Sequence, residues 1–127
     1  MASTANAAKQ ADPVPSLRAV RPIDLVHLAK QCMGDVSLKR DVLRLFDTTI
    51  KTYFGRLELP GDVALNLHSI KGAAGGVGAW TIADLAKACE ADIQAGRPLT
   101  PERLADLAIA VEEAREFIAR ILSADGN

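Results

Sequence analysis

Between Leu65 and Trp80 the chain reads Leu-Asn-Leu-His-Ser-Ile-Lys-Gly-Ala-Ala-Gly-Gly-Val-Gly-Ala-Trp, so Lys71 and Gly72 follow His68 by three and four residues. In a helix, positions three and four apart are surface neighbours, which puts both one turn along from the imidazole. An exposed histidine offers a partly neutral nitrogen nucleophile near pH 7. A lysine beside it draws in an anionic group by charge, with no need of fixed hydrogen-bond geometry. A glycine beside it removes side-chain bulk where a partner must come close. These residue types at this spacing suit an imidazole that carries a phosphoryl group between proteins. His68 is the expected phosphoacceptor, Lys71 the charge stabiliser and Gly72 the point of access.

Phosphoryl transfer depends mostly on positioning and charge neutralisation. The sequence holds no Gly-rich nucleotide loop followed by Lys-Ser/Thr and no obvious Mg²⁺-binding cluster. The chain is therefore expected to take no phosphoryl group from ATP unaided, to be no enzyme in that sense, and to bind no cofactor of its own. Other chemistries fit less well. A metal site wants several ligands in register, and the two histidines, His27 and His68, belong to different helical patterns. Ser69 is adjacent to His68 and so points about 100° away along a helix, which is wrong for a nucleophile–base pair.

The elements that position these residues read as helices. Residues 1–21 are rich in Ala, Ser, Thr, Asn and Pro without a period, and a flexible tail is expected there. Pro22 opens a short helix with the stripe Ile23, Val26, Ala29, Cys32 and Met33, ended by Gly34, and His27 faces away from that stripe. Asp35 or Ser37 caps a second helix whose apolar face is Leu38, Val42, Leu45, Phe46, Thr49, Ile50, Tyr53 and Leu57. Arg40, Arg44 and Lys51, with Asp47 among them, form its opposite face, read as solvated or as a docking row for an acidic partner. Leu59-Pro60-Gly61 breaks the pattern and Asp62 caps a third helix to about Val77, with Val63, Leu67, Ile70, Ala74 and Val77 inward.

At about 100° per residue, His68 lies roughly 140° from the centre of that inward stripe. It is expected to face outward. Ala64 and Gly72 lie one turn below and above it, Gly75 two turns above, and Leu65 adds apolar surface on the same side. Two exposed helical glycines cost about 1 kcal/mol each relative to alanine, which close approach of a partner would explain. Ala64, Leu65 and Gly75 are therefore candidate partner contacts. Gly76 and Gly78 read as a helix cap and a turn. A fourth helix runs from about Trp80 to Ala95, burying Ile82, Leu85, Ala86, Cys89 and Ile93. Trp80 falls opposite its stripe, either folded back on the bundle end or exposed as a partner anchor. After Gly96, Thr100 caps and Pro101 begins a last helix carrying Leu104, Leu107, Ala108, Val111, Ala114, Ile118, Ile121 and Leu122 inward. The fold class expected is all-α, an antiparallel up-down four-helix bundle over 22–125 with a short extra N-terminal helix.

Composition narrows the partners. The chain is 49% hydrophobic and 24% charged, with 15 basic and 16 acidic residues, so nothing marks a nucleic-acid or anionic-lipid footprint. Cys32 and Cys89 sit far apart in apolar patterns and read as a buried, reduced pair. No secretory signal pattern and no run of about 20 apolar residues occurs, so the cytoplasm is the expected location.

The run His68-Ser-Ile-Lys71-Gly72-Ala-Ala-Gly75-Gly-Val-Gly78-Ala resembles the signature of histidine-containing phosphotransfer (HPt) domains, in particular those ending bacterial hybrid sensor kinases. Their pattern is His-x-Leu/Ile-Lys-Gly followed by small residues and Leu/Val-Gly, and the helix pattern from Pro22 to Leu122 also suits their fold. The resemblance implies that His68 takes a phosphoryl group from the aspartate of one receiver domain, that of a hybrid histidine kinase, and passes it to another, that of a response regulator. Lys71 then matches the charge-stabilising position, Gly72 the access position, and Mg²⁺ is expected on the receiver. Trp80 departs from the basic or polar residue common there, which bears on partner choice. With no kinase or receiver segment in the sequence, a free-standing, monomeric phosphocarrier is expected. The rival is an HPt-like module that docks on a kinase or receiver without being phosphorylated. A helical bundle of another family would instead use Lys71 and Gly72 for stability only.

Overall fold

The computed structural model describes residues 21–124, and the tail expected over 1–21 lies, but for Arg21, outside them. They form α1 (Leu25–Gln31), α2 (Val36–Arg56), α3 (Val63–Val77), α4 (Trp80–Gln94) and α5 (Pro101–Ala124), with no strand among the described residues. The four longer helices close a ring in which α2 touches α3, α3 touches α4, α4 touches α5 and α5 returns to α2. Short connections make sequence neighbours antiparallel, and the result is an up-down four-helix bundle. α1 packs on α2 and α3.

Helix starts follow the capping signals. Asp35 accepts from Leu38 N at 3.0 Å, Asp62 from Leu65 N at 3.0 Å, and Thr100 Oγ1 from Arg103 N at 3.1 Å. Each satisfies an amide that has no partner within its own helix. Leu43, Phe46 and Ile50 from α2, Leu67, Ile70, Ala74 and Val77 from α3, Ile82, Ala86 and Cys89 from α4, and Leu107, Val111, Ala114 and Ile118 from α5 fill the core. Both cysteines are buried and free.

The structure corrects three expectations. α1 is capped by Asp24, whose carboxylate accepts from Val26 N and His27 N, and not opened by Pro22. Its buried residue is Leu28, flanked by the buried Ile23 and Cys32 just outside the helix, while Val26 and Met33 are 66% and 88% exposed. A helix of seven residues admits more than one apolar stripe, and the choice is made by tertiary contact: Asp24 N donates to Gly78 O at 2.9 Å. In α2 the stripe is rotated toward Leu43, leaving Leu45 67% exposed. Arg40 and Asp47 then flank the interior instead of lining a free face. Arg40 donates to Leu122 O and Arg115 Nε donates to Asp47 at 2.8 Å, tying α2 to α5. Finally, Gly76 is inside α3; Gly78 alone makes the turn.

Gly78 is required on two counts. Its φ is +85°, and a Cβ there would meet Asp24 Cβ and O at 3.0 Å. Gly78→Ala is expected to destabilise the bundle by about 1–3 kcal/mol, read as a lower urea midpoint. An unchanged midpoint would mean that the α1–α3 junction bears no load.

Asp92 of α4 is a buried carboxylate, 8% exposed. Arg103 Nε at 2.8 Å and Arg97 at 2.9 Å each take one of its oxygens, joining the end of α4 to the start of α5. The bonds from Arg103 and then Arg97 hold this carboxyl below the usual carboxylate range, as the bond from the Trp80 indole and then the His27 amide do for Asp24. Both groups are lowered in the folded state. Their stabilisation is full above the ordinary carboxylate value of about 3.9 and is lost as pH falls below it, through the native value. The thermal midpoint should therefore drop on acidification through that range, less steeply in Asp92→Asn. An equal slope in the variant would count against the assignment.

Candidate functional site

His68 occupies the second turn of α3, on the side away from Leu67, Ile70 and Ala74, and its side chain is 68% exposed. The outward placement expected from the spacing is what the structure has. Lys71, one turn on, is 37% exposed in its side chain. Glu90 reaches the same spot from α4. Its Oε2 lies 3.4 Å from His68 Nδ1 and its Oε1 lies 2.8 Å from Lys71 Nζ. The first is an ion-pair distance and not a short hydrogen bond; the second is a close charge-assisted contact. Glu90 is only 12% exposed in its side chain, so it is fixed from beneath while the imidazole stands above it.

Small residues make this reach possible. Ala74, Ala79 and Ala86 are fully buried along α3 and α4, and the two helices are joined by Gly78 and Ala79 alone. Helix axes approach more closely where the contact residues are small. The carboxylate of one helix can then touch the outer row of its neighbour.

Glu90 is the site residue that pattern reading passed over. A signal was present. In a tight helical hairpin, residues equidistant from the hinge face one another, and His68 and Glu90 each lie eleven residues from Ala79. Attention to motif spacing within one helix hides a partner supplied across a turn.

The imidazole's two nitrogens differ in their surroundings. Nδ1 faces Glu90, whereas Nε2 has no hydrogen-bond partner among the described residues. A carboxylate next to one ring nitrogen favours the tautomer with its proton there, leaving the lone pair on the other. The arrangement thus leaves the Nε2 lone pair without a partner among the described residues.

Access is open. Gly72 is exposed, and a Cβ built at Gly72, Gly75 or Gly76 would meet nothing within 4 Å. All three lie in helical backbone of α3. No internal contact asks for glycine at these places, yet each costs about 1 kcal/mol relative to alanine. Ala64 and Leu65 are exposed on the same helix, Leu65 to 58%, beside the imidazole.

Trp80 is elsewhere. It begins α4 beyond the end of α3, and Val77 alone is already about 13 Å along the axis from His68 at ~1.5 Å per residue. Its Nε1 donates to Asp24 Oδ2 at 3.0 Å and its ring meets His27 edge-on, with centroids 4.8 Å apart. His27 is accordingly half-buried and shares its Nε2 with Gln31 at 3.5 Å. Trp80 folds back on the bundle end and still leaves 44% of its surface exposed.

The pattern of the family described as Hpt domain matches residues 37–117, from the first turn of α2 into the last third of α5. The match contains His68, Lys71, Gly72 and Glu90 and leaves α1 outside. No curated protein matches the chain significantly.

Proposed function

The chain belongs to the Hpt domain family, whose members are histidine phosphotransfer modules of phosphorelays, and from that premise we propose that His68 is its phosphorylated residue. The observation that carries the reading is the site itself: an imidazole 68% exposed, with Nδ1 turned to Glu90 and Lys71 alongside.

In the proposed reaction the Nε2 lone pair attacks the phosphorus of an aspartyl phosphate on a receiver domain. The P–O bond breaks, and its electron pair leaves with the aspartate carboxylate. The Nδ1 proton stays where it is, facing Glu90, so no proton has to move. Lys71 neutralises part of the charge on the phosphoryl oxygens, and Gly72 lets the two surfaces close. Passing the group on reverses these events. An oxygen of a second receiver's aspartate bonds to phosphorus, and the P–N electron pair returns to Nε2.

The divalent cation such transfer uses would belong to the receiver. Among the described residues, no group of three or more His, Cys, Asp or Glu could hold a metal ion. Ala64, Leu65 and Gly75 are proposed as the contact surface around His68, with the exposed part of Trp80 as a separate contact at the bundle end, and a hybrid kinase receiver and a response regulator as partners. One exposed site needs no second copy, and a monomer working in the cytoplasm is proposed. Among the described residues, no helix is long and apolar enough to cross a membrane.

The test is a two-step relay. The protein is mixed with a phosphorylated receiver, and acid-labile, base-stable label is followed on it; a second receiver is then added. Label that arrives and then leaves is the expected result. A stable complex without label would instead identify a docking module.

A further inference from the structure

Glu90 does more than orient the ring. Its carboxylate stands against both groups that determine how firmly a phosphoryl group is held. Oε2 is 3.4 Å from Nδ1, the nitrogen that remains free when Nε2 is phosphorylated. Oε1 is 2.8 Å from the Lys71 ammonium, which engages the phosphoryl oxygens in the proposed reaction. The side chain is 12% exposed, so the carboxylate cannot swing away into water as a surface glutamate would.

Resting on the phosphocarrier reading, we infer that Glu90 keeps the phosphohistidine of this protein short-lived, acting as a built-in timer on the stored phosphoryl group. Two effects of its charge point the same way. With a carboxylate beside it, Nδ1 retains its proton after phosphorylation. When the Nε2–P bond breaks, its electron pair returns to Nε2 and the leaving group departs as neutral imidazole with Nδ1–H still in place. In hydrolysis, water oxygen bonds to phosphorus and the water proton passes to solvent. Without the carboxylate, Nδ1 is free to lose its proton, and the leaving group becomes the far less stable imidazolate. At the same time, Glu90 shares the Lys71 ammonium and weakens its hold on the phosphoryl oxygens. Glutamine at this position has a similar size but no charge. It can donate to a bare Nδ1 and leaves Lys71 free for the phosphoryl group.

Glu90→Gln and Glu90→Ala should therefore lengthen the lifetime of phosphorylated His68. The experiment labels the whole chain with phosphoramidate, a small phosphoryl donor that needs no partner protein, and follows phosphohistidine decay at neutral pH after the donor is removed. Helical circular dichroism checks folding. A half-life at least about threefold longer in both variants is expected, the size of one partly screened charge contact. The ring ¹⁵N shifts of unphosphorylated His68 give a second readout that a merely structural role would not move. Nδ1–H should dominate in the parent protein, with the two tautomers mixing in Glu90→Ala. Equal or shorter half-lives in the variants would overturn the timer. Phosphoramidate label that never appears on His68 of the parent protein would overturn the phosphocarrier reading instead.

Discussion

His68→Gln is expected to abolish phosphoryl label on this protein while leaving its stability almost untouched. Glutamine keeps a polar side chain of helix-compatible shape but has no nucleophilic nitrogen. The imidazole is 68% exposed and contributes to no core contact, and its pairing with Glu90 is a solvent-side interaction worth about 0–1 kcal/mol. A surface substitution of this kind changes stability by about 0.5 kcal/mol or less. Two measurements on the same sample separate site from scaffold: label from a phosphorylated receiver, and the urea midpoint. Persistent label in the variant would take His68 out of the role.

Gly72→Leu should produce an opposition between stability and function. The helix gains about 0.8–1 kcal/mol when glycine is replaced by a good helix former, and an added Cβ meets nothing within 4 Å. The urea midpoint should rise. Transfer should fall by about a hundredfold, because reacting atoms must come within about 3–3.5 Å and displacement by 1 Å can cost that factor. A leucine one turn from the imidazole stands where the receiver must lie. Gly72→Ala should raise stability similarly with a smaller loss of transfer. Normal transfer in Gly72→Leu would remove the access argument, and a collapse of stability would move Gly72 into the scaffold.

The outward position of His68 was legible because α3 is long and its inward residues repeat cleanly at helical spacing. The caps at Asp35, Asp62 and Thr100 were legible for a similar reason, since capping is a local bargain between a side chain and amides two or three residues on. Expectations went astray where tertiary contact decides. α1 has too few residues for its stripe to be unique, and its docking is set by Asp24 against Gly78. In α2 the polar residues Arg40 and Asp47 look solvated in the sequence, but each has a partner on α5, far along the chain. Asp92 lies among apolar neighbours on α4 and is made tolerable in the interior by two arginines, one of them on α5. Glu90 belongs to the same class, because its importance comes from the residue it faces across a hairpin. A motif confined to one helix shows the nucleophile and its neighbours; what stands opposite depends on the packing of two helices.

The most direct measurement is the location of the phosphoryl group itself. The protein is phosphorylated by a receiver, and ³¹P–¹⁵N correlation is recorded with ring-labelled histidine. A single phosphorus coupled to Nε2 of His68, with Nδ1 still protonated, is the predicted result. Phosphorus bonded to Nδ1, to His27 or to any residue other than His68 would contradict the account.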